Sequence, residues 1–244
     1  MNDQGVPARP HRKLTEDGQR MREVLSYSRR GSRFTPSQQE AWDAHHEAWV
    51  IPDEAVDDPG FAWSDWFGRE APLVVEIGSG VGEATGVLAA ARPDCNVVAF
   101  EVWRPGIAAG LAEVAAAGAD NVRFCSVDAV WSIGHLVAES SVRELWTFFP
   151  DPWPKQKHHK RRLVTPAFAR LAASRLEPGG TWRLATDWAQ YAVQMRAVLD
   201  AEPGLEGGPV ERWAERPVTK FERKGRAVGR DIVDLAYRRP AVTS

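Results

Sequence analysis

Three carboxylates stand where a ligand crevice would need them. Glu76 lies in the apolar run Leu73-Val74-Val75-Glu76-Ile77, which opens onto the glycine loop Gly78-Ser79-Gly80-Val81-Gly82-Glu83. Closely spaced glycines let backbone approach a ligand at the carboxyl end of a strand. Glu101 follows a second apolar run, Asn96-Val97-Val98-Ala99-Phe100, and Asp128 follows a third, Val122 to Val127. A dinucleotide fingerprint would place its third glycine at position 83, where this chain has Glu83. Helix N-termini attract anions, but Glu76 and Glu83 at the two ends of the loop are poor neighbours for a pyrophosphate. They suit a cationic, ribose-bearing ligand without phosphate. S-adenosylmethionine (SAM), with its sulfonium, ammonium and ribose diol, has that chemistry. A carboxylate at Glu101 can accept both ribose hydroxyls, and Asp128 closes the strand where the adenine amino group would lie. Each acid alone reads more readily as a helix cap. The three together, with the glycine loop, read as a cofactor crevice.

A second constellation follows the fourth apolar run. In Phe148-Phe149-Pro150-Asp151-Pro152-Trp153-Pro154-Lys155, alternating prolines hold the backbone extended and forbid a helix. Such a rigid loop is a platform for Asp151 to meet a cationic or hydrogen-bond-donating substrate above the cofactor. Lys155, Lys157, Lys160, Arg161 and Arg162 come next, a cluster able to neutralise several phosphates. Trp153 can stack a base or anchor the loop. His158-His159 have no Cys or acid at ligand spacing, so no metal site is expected.

The elements that must position these residues follow from periodicity. Strands at 73–77, 96–100, 122–127, 144–149 and 181–185 alternate with helices at 83–91, 106–117, 129–138, 166–176 and 188–199. This predicts an α/β, Rossmann-like doubly wound sheet, mostly parallel, with helices on both faces. Thr35-Pro36 predicts a capped helix over 35–49, and 52–60 reads as a loop. Residues 205–239 break the alternation and read as strand, basic loop or helix, then a C-terminal antiparallel strand at 231–237. These elements make one domain over 34–244, preceded by a basic, flexible arm over 1–33.

Over its 244 residues the chain has 31 Lys+Arg against 33 Asp+Glu, a net charge of −2 that argues at first against a nucleic-acid partner. The distribution is uneven. Residues 51–70 hold six acids and only Arg69 among basic residues, whereas 152–176 hold no acid and seven basic residues. Residues 1–33 carry eight basic against four acidic residues, and 211–239 nine against five. Three separate basic segments make a polyanionic partner an expectation. Two cysteines, Cys95 and Cys125, give no disulfide framework, and no apolar run or signal segment predicts a membrane or secretory destination, so a cytoplasmic location is expected.

The run Phe-Pro-Asp-Pro-Trp-Pro-Lys-x-x-His-x-Lys-Arg-Arg resembles the signature of the tRNA (guanine-N7-)-methyltransferase family. Tyr27-Ser28-Arg29-Arg30-Gly31-Ser32-Arg33, Glu76 with its glycine loop, Thr186-Asp187, and Pro217-Val218-Thr219-Lys220-Phe221-Glu222-Arg223 resemble further motifs of that family in the same order, over about residues 25–239. One departure is Trp103, where the family often has a small residue or His. The resemblance implies SAM-dependent methylation of N7 of a guanine at position 46 of the tRNA variable loop. By motif position it implies Glu76, Gly78, Gly80, Glu101, Asp128 and Asp151 on the cofactor side. It implies Lys155, Asp187, Thr219, Lys220, Phe221 and Glu222 on the substrate side, with Lys157, Lys160, Arg161 and Arg162 toward RNA. Asp151 is the expected catalytic group, and Asp187 or Glu222 the acceptor for guanine N1–H and N2–H₂. The family includes monomers and dimers. Other readings of the residues are a SAM-dependent enzyme acting on another RNA or a small molecule, a non-catalytic RNA-binding protein, and a nicotinamide-dependent oxidoreductase. Glu83 disfavours the last.

Overall fold

A computed structural model describes residues 26–27 and 31–241. The remainder of the 1–33 segment therefore lies outside the described residues. Helix α1 (Pro36–Trp49) starts as its sequence predicts: Thr35 Oγ1 accepts from Gln38 N, and the Gln38 side chain accepts from Thr35 N. The pair closes the helix end from both sides. After the two-residue strand β1 (Val50–Ile51) and the short α2 (Trp63–Phe67), the alternation begins: β2 (Leu73–Ile77), α3 (Glu83–Ala90), β3 (Asn96–Phe100), α4 (Arg104–Ala116), β4 (Val122–Cys125), α5 (Ala129–Leu136), β5 (Val142–Phe148), α6 (Pro166–Arg175), β6 (Leu176–Thr186), α7 (Ala189–Asp200), β7 (Glu206–Val210), α8 (Lys220–Ala227) and β8 (Val233–Arg238).

The strands form one eight-stranded sheet in the order β1-β4-β3-β2-β5-β6-β8-β7. All pairings are parallel except those of β8, which runs antiparallel to both β6 and β7. Strands β2 and β3 are buried along their whole length, which is why their sequences are near-continuous apolar runs rather than alternations. Successive side chains supply two cores. Val75, Ile77, Val98 and Phe100 face one side, and Val74, Val97, Ala99 and Phe124 the other. From β2 the chain winds outward through β3 and β4, then returns to the opposite side of β2 with β5 and β6. The strand order thus reverses between β2 and β5. A crevice opens outside the carboxyl ends at such a reversal, and the glycine loop and the proline loop follow those two strands.

Two differences from the sequence reading have local causes. Strand β6 begins at Leu176, not Thr181. Leu176 pairs with Val142, and the register then jumps so that Glu144 meets Thr181. The intervening Pro178-Gly179-Gly180 bulges out, tied to β8 by Gly179 N to Arg239 O and Arg239 N to Gly180 O. A turn signal in the sequence was here a bulge within a strand. The basic run also folds into a 3₁₀ segment over Gln156–Arg161, which no hydrophobic period announces.

Candidate active site

Glycine geometry builds the floor of the crevice. Gly82, with φ 79°, is the N-cap of α3, and a Cβ there would lie 2.5 Å from Gly110 Cα of α4. A Cβ on Gly106 would lie 2.4 Å from Gly80 O. Only glycine lets α4 press this closely against the loop. The loop is also held by Glu101, whose carboxylate accepts from Gly80 N and from Trp103 N, each at 2.8 Å. Ser79 Oγ is buried and makes no hydrogen bond within the described residues.

Glu76 lies on β2 under the loop, almost fully buried. Thr85 Oγ1 donates to it at 2.6 Å. Burial pushes its carboxyl up to about 7; the Thr85 hydrogen bond opposes this and the charge of Glu101 adds to it. Asp128 caps α5 by accepting from Trp131 N at 3.1 Å, so the cap reading holds for one of its oxygens while the residue also lines the crevice.

The opposite wall is the proline loop. Phe149 takes φ 52° and Trp153 φ 43°, left-handed conformations that are costly for bulky residues and that bracket Asp151. The loop is pinned at three points. Phe149 N donates to Ala185 O at 2.7 Å, Arg162 Nε to Pro152 O at 2.8 Å, and Trp153 Nε1 to Ser26 O at 3.1 Å. Arg161 stacks 3.6 Å over the Trp153 ring and donates to Tyr27 O. Trp153 thus anchors the loop, and the described piece of the lead-in at 26–27 lines the crevice mouth. On the other rim Trp103, at the departure from the family pattern, donates its indole N–H to Gly31 O at 2.7 Å.

The resulting cavity encloses about 160 Å³. Glu76, Glu83, Glu101, Asp128 and Asp151 all line it, together with Gly78, Gly80, Thr219 and Phe221, and no Lys, Arg or His does so among the described residues. A lining with five carboxylates and, among the described residues, no Lys, Arg or His fits a positively charged ligand better than a phosphate. Ser79 Oγ adds a buried polar atom wanting a partner. This donor and acceptor set fits SAM. Among the described residues no group of His, Cys, Asp or Glu is arranged for a metal ion, and no helix is long and apolar enough to cross a membrane.

On the substrate side, Thr219 caps α8 by accepting from Glu222 N, and the exposed Phe221 lies over the glycine loop. Lys155, Lys157 and Lys160 are exposed on and beside the 3₁₀ segment, and Lys220 is exposed on α8. Asp187, after β6, pairs with Arg230 at 2.7 Å. Two expectations need correction. Arg162 does not face outward; it is buried, with its guanidinium bound to Pro152 O, Gln194 and Gln190 and set 4.8 Å over the Tyr191 ring. Glu222 is fully buried and its carboxylate meets Arg212, Arg216 and Arg226, so it holds the fold where a guanine-reading acceptor was expected. Burial works to raise the Glu222 carboxyl, but Arg212 and Arg216 outweigh it and hold it below the usual carboxylate range.

Sequence reasoning missed Arg216 altogether. It is fully buried, bonds Glu222 and Asp234, and lies 5.6 Å and 5.3 Å from the Phe148 and Phe149 ring centroids. It thereby ties α8 and β8 to the base of the proline loop. Nothing distinguishes it in the sequence from the surface arginines around it. Much of the 211–239 basic run is likewise paired inside the chain: Arg223 with Glu83, Arg230 with Asp187, Arg238 with Glu206.

A mostly parallel sheet with this order and an acidic crevice at its reversal is the architecture of the class I SAM-dependent methyltransferases. The fold is similar to that of the 16S rRNA methyltransferase KamB, with TM-score 0.53, 18% identity, and coverage of 73% of this chain and 92% of that one. Residues 70–235 match the family described as "Putative methyltransferase". The chain is 72% identical over 233 residues to a tRNA (guanine-N(7)-)-methyltransferase of Nocardioides sp., covering 96% of this chain and 94% of the relative. It is 45% identical to the enzyme of that name from Cutibacterium acnes, covering 96% and 88%. The chain belongs to the tRNA (guanine-N7-)-methyltransferase family.

Proposed function

We propose that this chain methylates N7 of the guanine at position 46 in the tRNA variable loop, using SAM. The observation that carries the reading is the juxtaposition of a crevice lined by five carboxylates with the exposed lysines Lys155, Lys157 and Lys160 just beyond its proline wall. One surface suits a sulfonium cofactor and the other a polyanion. SAM, when bound, supplies an electrophilic methyl group that the N7 lone pair can accept directly, so no residue need act as general base. Glu76 and Asp128 would hold the cofactor's ammonium and adenine amino group, Glu101 its ribose, and Gly78 and Gly80 let the backbone approach. Asp151 would stabilise the positive charge that moves from sulfur to the guanine ring, and the pinned loop keeps it in place for that work. Positioning N7 in line supplies most of the remaining rate.

On the substrate side, Asp187 accepts from the guanine edge, which selects guanine over adenine. Thr219 to Phe221 border the base, and Lys155, Lys157, Lys160 and Arg161 hold phosphates while the base leaves its stack. Arg162 and Glu222 position these groups from within. Residues 34–244 then form a single cytoplasmic catalytic unit working as a monomer or homodimer. Incubation with labelled SAM and unmodified tRNA tests this function. Label should enter tRNA, and aniline should cleave the product at one site in the variable loop. Tight tRNA binding without label transfer would point to a non-catalytic RNA-binding protein.

A further inference from the structure

Glu83 joins the glycine loop to α8. It is the first residue of α3, directly after the glycine loop, and both of its carboxylate oxygens reach α8. Oε2 accepts the backbone N–H of Lys220, and Oε1 accepts Arg223 Nη2 at 2.7 Å. A helix leaves its first N–H groups without internal partners. In α8, Thr219 serves Glu222 N from within its own segment, while Glu83 serves Lys220 N from the cofactor loop. In the same turn Phe221, 43% exposed, extends over that loop, where its ring would come within 3.8 Å of a Cβ on Gly80. The loop that cradles one ligand and the turn that borders the other are therefore joined through one side chain.

We propose that Glu83 is a positioning residue that couples the two binding events. Fixing the glycine loop around the cofactor fixes Thr219 to Phe221 for the guanine, and a guanine under α8 in turn steadies the loop. The ordering cost of this shared element is met by the first ligand and does not fall again on the second. Such coupling is reciprocal: each ligand must improve the affinity of the other by the same factor. This inference rests on the placement of guanine beneath α8 proposed above. The Glu83–Arg223 pair is half exposed, so its direct contribution to fold stability is small, and its consequence lies in the linkage.

The test measures tRNA affinity by fluorescence anisotropy with and without S-adenosylhomocysteine, and S-adenosylhomocysteine affinity by calorimetry with and without tRNA. In the wild type both experiments should give one common factor of roughly fivefold or more. In Glu83→Ala the factor should fall toward unity, while Glu83→Gln, which keeps an acceptor for Lys220 N–H, should retain part of it. A wild-type factor of one, or a full wild-type factor in Glu83→Ala, overturns the coupling. Phe221→Ala separates the two levels. If it leaves tRNA affinity unchanged, the guanine is not under α8 and the underlying reading fails with the coupling. If it weakens tRNA binding while Glu83→Ala keeps the wild-type factor, the coupling alone is refuted.

Discussion

Among single residues, Glu76 makes the clearest statement about pH. Its carboxyl is raised from 4.5 to about 7 by burial, so the folded protein holds a proton that the unfolded chain would release. The stabilisation from the protonated form is whole below pH 4.5 and is lost as pH rises to about 7. A cationic ligand favours the ionised form. SAM affinity should therefore rise with pH up to about 7 and release a proton on binding, which calorimetry in buffers of different ionisation enthalpy will detect. Glu76→Gln should bind more weakly and lose both effects; a flat profile in the wild type would remove Glu76 from the cofactor's cationic end. Asp151→Asn should lower kcat by about 10²-fold, on the scale of removing one group that stabilises transition-state charge, with near-normal SAM affinity by calorimetry. The acids were legible as a set, because three of them end successive apolar runs around one glycine loop; singly each reads as a helix cap, which Asp128 also is. Arg162 and Glu222 were misplaced because a charged side chain in a basic segment reads as solvated. Only packing shows that Pro152 O, Gln194 and Gln190 surround the one, and three arginines the other.

Elements were legible where burial imposes a period. Strands β2 and β3 and the helices after them were given by apolar runs and glycines, and Thr35-Pro36 marked the start of α1. The two-residue β1 and the early start of β6 were not, because each depends on a partner distant in sequence: Phe124 and Cys125 for β1, Val142 for Leu176. Helix α8 illustrates the point most fully. Arg216, with Glu222 and Asp234, holds it from inside the protein. Arg216→Met should leave the buried Asp234 without its ion-pair partner, remove one of the three arginines from Glu222 and cost about 3–5 kcal/mol, read as a lowered denaturation midpoint. Stability within about 0.5 kcal/mol of wild type, the range of ordinary surface changes, would show that the network is dispensable. At the other wall, Gly106→Ala drives a methyl group into Gly80 O. SAM binding should weaken more than tRNA binding, by calorimetry and anisotropy respectively.

For the whole molecule, the net charge of −2 conceals two opposed surfaces. Five carboxylates are gathered into the cavity, and many C-terminal arginines are neutralised within the chain. Among the described residues, Lys155, Lys157 and Lys160 are exposed cations on and beside the segment that follows the proline loop. Lys157→Ala with Lys160→Ala should weaken tRNA binding and reduce the slope of log affinity against log salt by up to about 2, roughly one unit for each phosphate that is no longer neutralised. An unaltered slope would move the RNA surface elsewhere. The reaction turns on one atom of the substrate, and one substitution in the RNA tests it. A tRNA carrying 7-deazaguanine at position 46 keeps the base-pairing edge and the backbone but has carbon in place of N7. With this enzyme and labelled SAM it should bind like unmodified tRNA and accept no methyl group. Methyl transfer at the rate of unmodified tRNA would show that N7 of guanine 46 is not the acceptor.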